Sequence, residues 1–364
     1  MTEPRYAVGI DLGTTHCALS YVDLDSGEDE DVRQELMPIA QLTAPGSVEE
    51  LPLLPSFLYL PHPDEFAAGD TCLPWAADAG RIAGQLARTL GARTPIRLVS
   101  SAKSWLCHPG VDRRAPILPP GAPDDQIDRL SPYEASVQYL QHLRDAWNQL
   151  HPDDNLALQD VTVTVPASFD PAARELTAEA AQAVGLERLV LLEEPQAALY
   201  SWIHESHGEW RNQVSVGDVI LVIDLGGGTT DLSLIAVTEQ DGSLELNRVA
   251  VGEHILLGGD NMDLALAHVL KAKLSAAGTA LDQWQIQALA QGCRAAKEVL
   301  LEDPDTEAVP VVVPSRGTRL IGGSIRTELT RAEVESTIFE GFFPEVGADS
   351  RPTLRQRAAL TKLG

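Results

Sequence analysis

Positive charge is the scarcest resource of this 364-residue chain: five lysines and 22 arginines face 53 aspartates and glutamates, a formal net charge of −26. So acidic a chain argues against a nucleic-acid backbone or an anionic membrane as the main partner, since both are polyanions. Cysteine is sparse too. Cys17, Cys72, Cys107 and Cys293 are scattered with no C-x-x-C pair, which argues against a structural zinc site and for free thiols in the cytoplasm. No apolar run approaches the ~18 residues of a membrane span. Met1-Thr2-Glu3-Pro4-Arg5 leads straight into a strand-like segment and lacks the layout of a secretion signal. Aromatics make up 5% of the chain, but apolar residues total 44% and charged ones 22%. That is a globular composition, long enough for about two domains at roughly 150 residues each.

What is present is a repeated signal. Tyr6 to Ile10 is a short apolar run that ends in Asp11-Leu12-Gly13-Thr14-Thr15, and a second run, Cys17 to Val22, follows it. Strand, glycine turn and strand make a β-hairpin. The pattern recurs at Val219 to Leu225, Gly226-Gly227-Gly228-Thr229-Thr230 and Asp231 to Val237, with Asp11 and Asp224 lying 213 positions apart. That spacing predicts two related lobes, not a short solenoid repeat. Between the copies the chain reads as mixed α/β. Leu51 to Leu60 is extended and punctuated by proline, and Leu118 to Asp125 reads as a surface loop. Ser131-Pro132-Tyr133-Glu134 starts a helix with a capping box, and Val137, Leu140, Leu143, Trp147 and Leu150 form its apolar stripe. Val161 to Val165 is a strand, Asp170-Pro171 caps a helix that stops near Gly185, and Leu189 to Leu192 is a buried strand. Gly27 to Asp31 is a solvated hairpin tip.

A strand end followed by Gly-Thr-Thr or Gly-Gly-Gly-Thr-Thr suits a phosphate, because glycines admit close approach, backbone N–H groups point at oxygens and hydroxyls add donors. One copy also reads as an ordinary tight hairpin; two facing copies can clamp a polyphosphate. Aspartates at such a site call for a cation, and Asp11, Asp224 and Asp231 offer the hard oxygens of a Mg²⁺ site. Asp231 alternatively caps its own hairpin. Lys103 is the only lysine in the first 270 residues, which hold fourteen arginines, and a compact ammonium reaches a γ-phosphate where a guanidinium does not fit. Glu194, between a strand and the helical Gln196-Ala197-Ala198 run, sits where α/β active sites collect, or caps the helix.

Together these residues resemble the nucleotide-binding domain of the Hsp70 (DnaK-like) chaperones, within the actin, sugar-kinase and Hsp70 ATPase superfamily. Ile10 to Thr15 resembles the first phosphate loop, Ser101-Ala102-Lys103 the segment with the essential lysine, and Val165-Pro166-Ala167-Ser168-Phe169 with Arg174 the proline switch. Glu194-Pro195 resembles the connecting segment with the catalytic glutamate, Asp224 to Asp231 the second phosphate loop, and Leu257 to Asp263 the glycine pair near the nucleotide. Ala296-Lys297 is similar to the adenine-clamp helix. The departures are His16, Cys17, Glu193 and Thr230, and around Lys297 the residues Arg294, Glu298 and Leu301. Arg294 facing Glu298 would exchange the clamp's charges.

The resemblance implies a two-lobed actin-like ATPase fold with an RNase H-like sheet core in each lobe. Lobe I would span 1–212 (core 1–42 and 130–212, inserted subdomain about 43–129) and lobe II 213–364 (core 213–255 and 328–364, inserted subdomain about 256–327). ATP or ADP would bind between them with Mg²⁺, K⁺ being a further candidate. Gly13, Thr14, Thr15, His16, Gly226, Gly227, Gly228, Gly258, Gly259 and Lys297 would hold the nucleotide. Lys103, Glu194, Thr229 and Asp224 would serve hydrolysis. Partners would be a peptide-binding domain, a J-type co-chaperone and a nucleotide-exchange factor. The chain ends before the family's Gly-Gly-Ser-x-Arg-Ile-Pro segment, so it reads as C-terminally truncated; Gly322-Gly323-Ser324-Ile325-Arg326 precedes the last helix and is not that segment. Two rival readings share the loops: a binding module without turnover, and a small-molecule kinase, which needs an aspartate base that nothing here singles out.

Overall fold

The structure, a computed structural model, describes residues 3–25, 33–122, 127–240, 242–252, 255, 257–313 and 324–351. The first hairpin forms as its sequence dictates: β1 (Tyr6–Leu12) pairs antiparallel with β2 (His16–Asp23), with Asp11 opposite Ala18. Short strands follow, β3 (Glu35–Leu36), β4 (Ile39–Ala44), β5 (Ser47–Leu51), β6 (Leu54–Pro55), β7 (Leu58–Tyr59) and β8 (Ile82–Ala83). After α1 (Gln85–Arg93), β9 (Leu98–Val99) and α2 (Ala102–Cys107) comes the long α3 (Pro132–Leu150). The capping box is in place: Ser131 Oγ accepts from the Glu134 amide at 3.0 Å, and Glu134 Oε2 accepts from the Ser131 amide at 2.7 Å. α3 buries Leu140, Leu143 and Trp147 against β1 and β2, while Leu150 at its end is exposed.

Next come β10 (Asp160–Val165), α4 (Pro171–Ala183), β11 (Leu189–Glu193), α5 (Glu194–Glu205) and the single turn α6 (Trp210–Gln213). β10 and β11 add parallel to β1, giving the order β11-β10-β1-β2-β3. β11 is therefore an edge strand. It is not the buried strand expected: Leu189 and Leu191 pack against the core, but Val190, alternating to the other side, is 61% exposed. Leu118 likewise is no surface-loop residue. It exchanges backbone hydrogen bonds with Leu130 at 2.8 and 2.7 Å, which tucks its side chain fully into the core. The acidic tract 27–31 and Gly322-Gly323 lie outside the described residues.

The second hairpin, β12 (Val219–Leu225) with β13 (Thr230–Gln240), repeats the first, and β14 (Ser243–Val251) extends it to a three-stranded sheet. Asp224 stands directly opposite Asp231. α7 (Gly259–Ala276) and α8 (Gln283–Glu302) pack with β15 (Ala308–Val313) and β16 (Ile325–Thr330) around a separate core of Leu266, Leu270, Leu289, Cys293 and Leu300. Thr330 caps α9 (Arg331–Glu335) with Glu333, and the chain continues into a π-helical turn over Ser336–Phe342. Among the described residues no helix is long and apolar enough to cross a membrane.

Candidate functional site

Both glycine turns and the start of α7 converge on one place. In the first turn Gly13 has no room for a side chain, because a Cβ there would strike the His16 carbonyl. Ser56, buried beneath, fixes this turn twice: its Oγ donates to the Gly13 carbonyl at 2.7 Å and its amide to the Thr15 carbonyl at 2.8 Å. In the second turn the Gly226 amide donates to the Thr229 carbonyl at 2.8 Å. The Gly226 and Gly227 carbonyls accept from the first amides of α7, Gly259 at 3.1 Å and Asp260 at 2.7 Å. A Cβ on Gly258 would lie 2.6 and 2.7 Å from those two carbonyl oxygens, so glycine is required for this stitch. The turns then face each other. Gly227 abuts the Thr15 methyl, and Gly228 abuts Thr14 and Ser104.

Beside the turns lies a charged pair. Lys103, in α2, places Nζ 2.6 Å from Glu194 Oε1 at the start of α5, with both side chains largely buried. Burial pulls Lys103 down, but Glu194, Asp11 and Asp224 outweigh it and hold the ammonium charged. Burial pushes Glu194 up, with Lys103 opposing and Asp11 and Asp224 assisting. Three carboxylates thus share one cation, a surplus of hard oxygen that suits a divalent ion. Lys103, Gly13, Thr14, Ser56, Tyr139 and Thr164 line a cavity of about 10 Å³, the room one water needs. Asp11 accepts from Thr164 Oγ1 at 2.6 Å.

Asp231 takes the other role open to it. Its carboxylate accepts from Ser168 Oγ at 2.6 Å and from Thr229 Oγ1 at 3.1 Å, tying the second turn to the segment after β10. Among the described residues no three His, Cys, Asp or Glu gather closely enough to hold a metal directly. Asp231 thus also braces its own hairpin, facing Asp224 across the ladder.

Along α7 and α8 runs an ion-pair network. Lys297 Nζ lies 2.7 Å from Asp263 and Arg294 Nε 2.8 Å from it, and Arg294 also pairs with Asp260. Arg88, from α1, pairs with Glu298. Asp260 further accepts from Ser101 Oγ. Burial pushes Asp263 up to about 6 against the pull of Lys297, and lowers Arg294 to about 10. His16 nearby is held below its usual value by burial and by Arg88.

Comparison with known proteins puts a family on this arrangement. The model described as "Hsp70 protein" matches residues 122–356, well over half the chain. The chain belongs to the Hsp70 family. Its curated relatives include the chaperone protein HscA homolog of Bordetella pertussis, 32% identical over 346 residues that cover 91% of this chain and 46% of that protein. The HscA homolog of Pseudomonas putida is 33% identical over 346 residues (92% and 46%), and the chaperone protein HscA of Yersinia pseudotuberculosis 30% identical over 360 residues (92% and 49%). The chain spans about half the length of the curated relatives it matches. The mixed α/β architecture, with its two glycine-turn hairpins, is the two-lobed actin-like ATPase fold expected.

In this Hsp70 chain Arg294 and Glu298 are not each other's partners. Asp260 and Asp263 outcompete Glu298 for Arg294, and Arg88 takes Glu298 instead. Lys297 reaches toward Gly259, 3.8 Å from where a Cβ would stand, but its charge is spent on Asp263. Leu301 is 45% exposed and offers no hydroxyl. Sequence reasoning missed Ser56, Thr164 and Arg88. Ser56 left one readable trace, its place between the prolines of an extended segment; the other two contacts span 153 and 210 positions and leave none.

Proposed function

We propose that this chain binds ATP and ADP between its two lobes and hydrolyses ATP as the nucleotide-binding part of an Hsp70-type chaperone in the cytoplasm. The observation that carries the reading is the convergence of both glycine turns on the buried Lys103–Glu194 pair. The amides of Gly13, Gly226, Gly227 and Gly228 and the hydroxyls of Thr14 and Thr15 would cradle the phosphates, with Gly258 and Gly259 holding the second turn in place. Thr229 would face the γ-phosphate. Lys103 would orient the attacking water and offset charge on the transferring phosphoryl group, while Glu194 accepts a hydrogen bond from that water. Asp11 and Asp224 would hold Mg²⁺ through its waters, which supplies charge neutralisation on the phosphates; K⁺ is a second cation of the same site.

Lobe I would be residues 1–212 and lobe II 213–364, rotating on hydrolysis. Glu193 supports that coupling: it accepts from Arg174 on α4 at 3.3 Å and pairs with Arg248 on β14, so it joins the two sheets. Pro166 and Arg174 would pass the motion on. In the whole protein the partners would be a peptide-binding domain, a J-type co-chaperone and a nucleotide-exchange factor. A second reading, binding without turnover, is favoured by the ion pairs that occupy Lys297 and Glu298. Phosphate release by the chain and by Lys103→Ala separates the two: release by the former and a loss of at least tenfold in the latter supports turnover, and equal release overturns the role of Lys103.

A further inference from the structure

Building on that reading, we propose that Ser104 is a binding residue for the terminal phosphate of the nucleotide. Ser104 follows Lys103 in α2. Its Oγ is buried and has no hydrogen-bond partner among the described residues. The polar groups around it are engaged: Ser101 Oγ donates to Asp260, Lys103 pairs with Glu194, and the carbonyl of Ser104 itself accepts from Cys107 Sγ at 3.1 Å. The unpaired hydroxyl also points at the second turn. A Cβ on Gly228 would collide with it and would lie 3.2 Å from the Thr14 methyl, so both turns meet at this one atom.

A buried hydroxyl without a partner is destabilising, and alanine would fill the same space at no such cost. Satisfaction by a ligand explains its presence. An anionic phosphate oxygen is a strong acceptor, and the hydroxyl supplies what an ammonium lacks, a single directed donor. Gly228 is the last glycine of its turn and Ser104 adjoins the lysine assigned to the attacking water, so the phosphate at that end is the terminal one.

The test uses the whole chain and Ser104→Ala, with Mg-ATP and Mg-ADP titrated by calorimetry and a melting curve taken without nucleotide. Losing a charge-assisted hydrogen bond should weaken ATP binding about tenfold or more while ADP binding changes less than about twofold. The melting midpoint should stay or rise, because the variant sheds an unpaired polar group. A variant that melts lower, or fails to fold, makes the hydroxyl structural and overturns the proposal. Equal loss for ATP and ADP also overturns it, as does unchanged ATP affinity. If the unsubstituted chain binds neither nucleotide, the ATP reading itself falls and takes this inference with it.

Discussion

Replacing Lys103 by methionine removes one ammonium and keeps most of the side chain's volume. In the folded chain that ammonium lies 2.6 Å from Glu194 Oε1, with 14% and 16% of the two side chains exposed. It also faces Asp11 and Asp224, so three carboxylates lose their shared counter-charge at once. Removing one partner of a buried pair costs about 3–5 kcal/mol, a sizeable share of a typical stability of about 5–15 kcal/mol. Glu194 has one escape, which is to take up a proton. Burial already raises it above the usual carboxylate range, and without Lys103 nothing opposes the rise. A carboxyl whose folded pKa exceeds its unfolded one binds its proton more tightly when folded, so stability grows as pH falls through the folded value. The deficit of Lys103→Met is therefore greatest above neutrality and shrinks in acid. Urea unfolding at about pH 8 and about pH 5.5 reads both effects. The double variant Lys103→Met/Glu194→Gln should regain much of the loss at the higher pH. A single variant that loses under about 1 kcal/mol, or loses the same at both pH values, refutes the reasoning.

Gly258→Ala places a Cβ 2.6 Å from the Gly226 carbonyl oxygen and 2.7 Å from that of Gly227, and backbone cannot yield as a side chain can. It should cost about 1–3 kcal/mol in a melt and weaken Mg-ATP binding at least tenfold, both through the second turn; undiminished affinity would show that α7 does not position that turn. His142 is buried with Nε2 2.9 Å from the Ala40 carbonyl, and burial lowers it to about 4. Its folded pKa is below its unfolded one, so the stability it contributes is present above about pH 6.5 and lost as pH falls towards 4, about 3 kcal/mol in all. His142→Gln should flatten the stability slope across that window, and an unchanged slope assigns acid sensitivity elsewhere.

The local parts of the fold were legible because their causes are local. The capping box at Ser131, the prolines at the first turn of α3 and α4, and the two strand–glycine–strand hairpins need a few neighbouring residues each. The convergence of the turns was legible as a repeat, since the same short pattern at Asp11 and Asp224 invites the same use. What stayed hidden depends on tertiary neighbours. Leu118 looked like loop among prolines, but its backbone pairs with Leu130 and its side chain is carried inside. Val190 looked buried by hydropathy, but it alternates to the side of its strand away from the core. The partner of Glu298 could not be chosen from sequence because two arginines compete for it, and the winner, Arg88, comes from a helix 210 positions away. Asp231 read as a metal ligand with capping as the alternative, and its contacts with Ser168, 63 positions away, left no trace in the sequence.

In the function proposed, two glycine turns of a strongly acidic chain hold a triphosphate through local chemistry: backbone amides, Mg²⁺ and Lys103. Calorimetric titration of the chain with Mg-ATP, repeated without Mg²⁺ and with Lys103→Ala, tests it most directly. Saturable binding at one site is expected, weakened at least tenfold by either change. No heat of binding, or the same affinity in all three titrations, would contradict it.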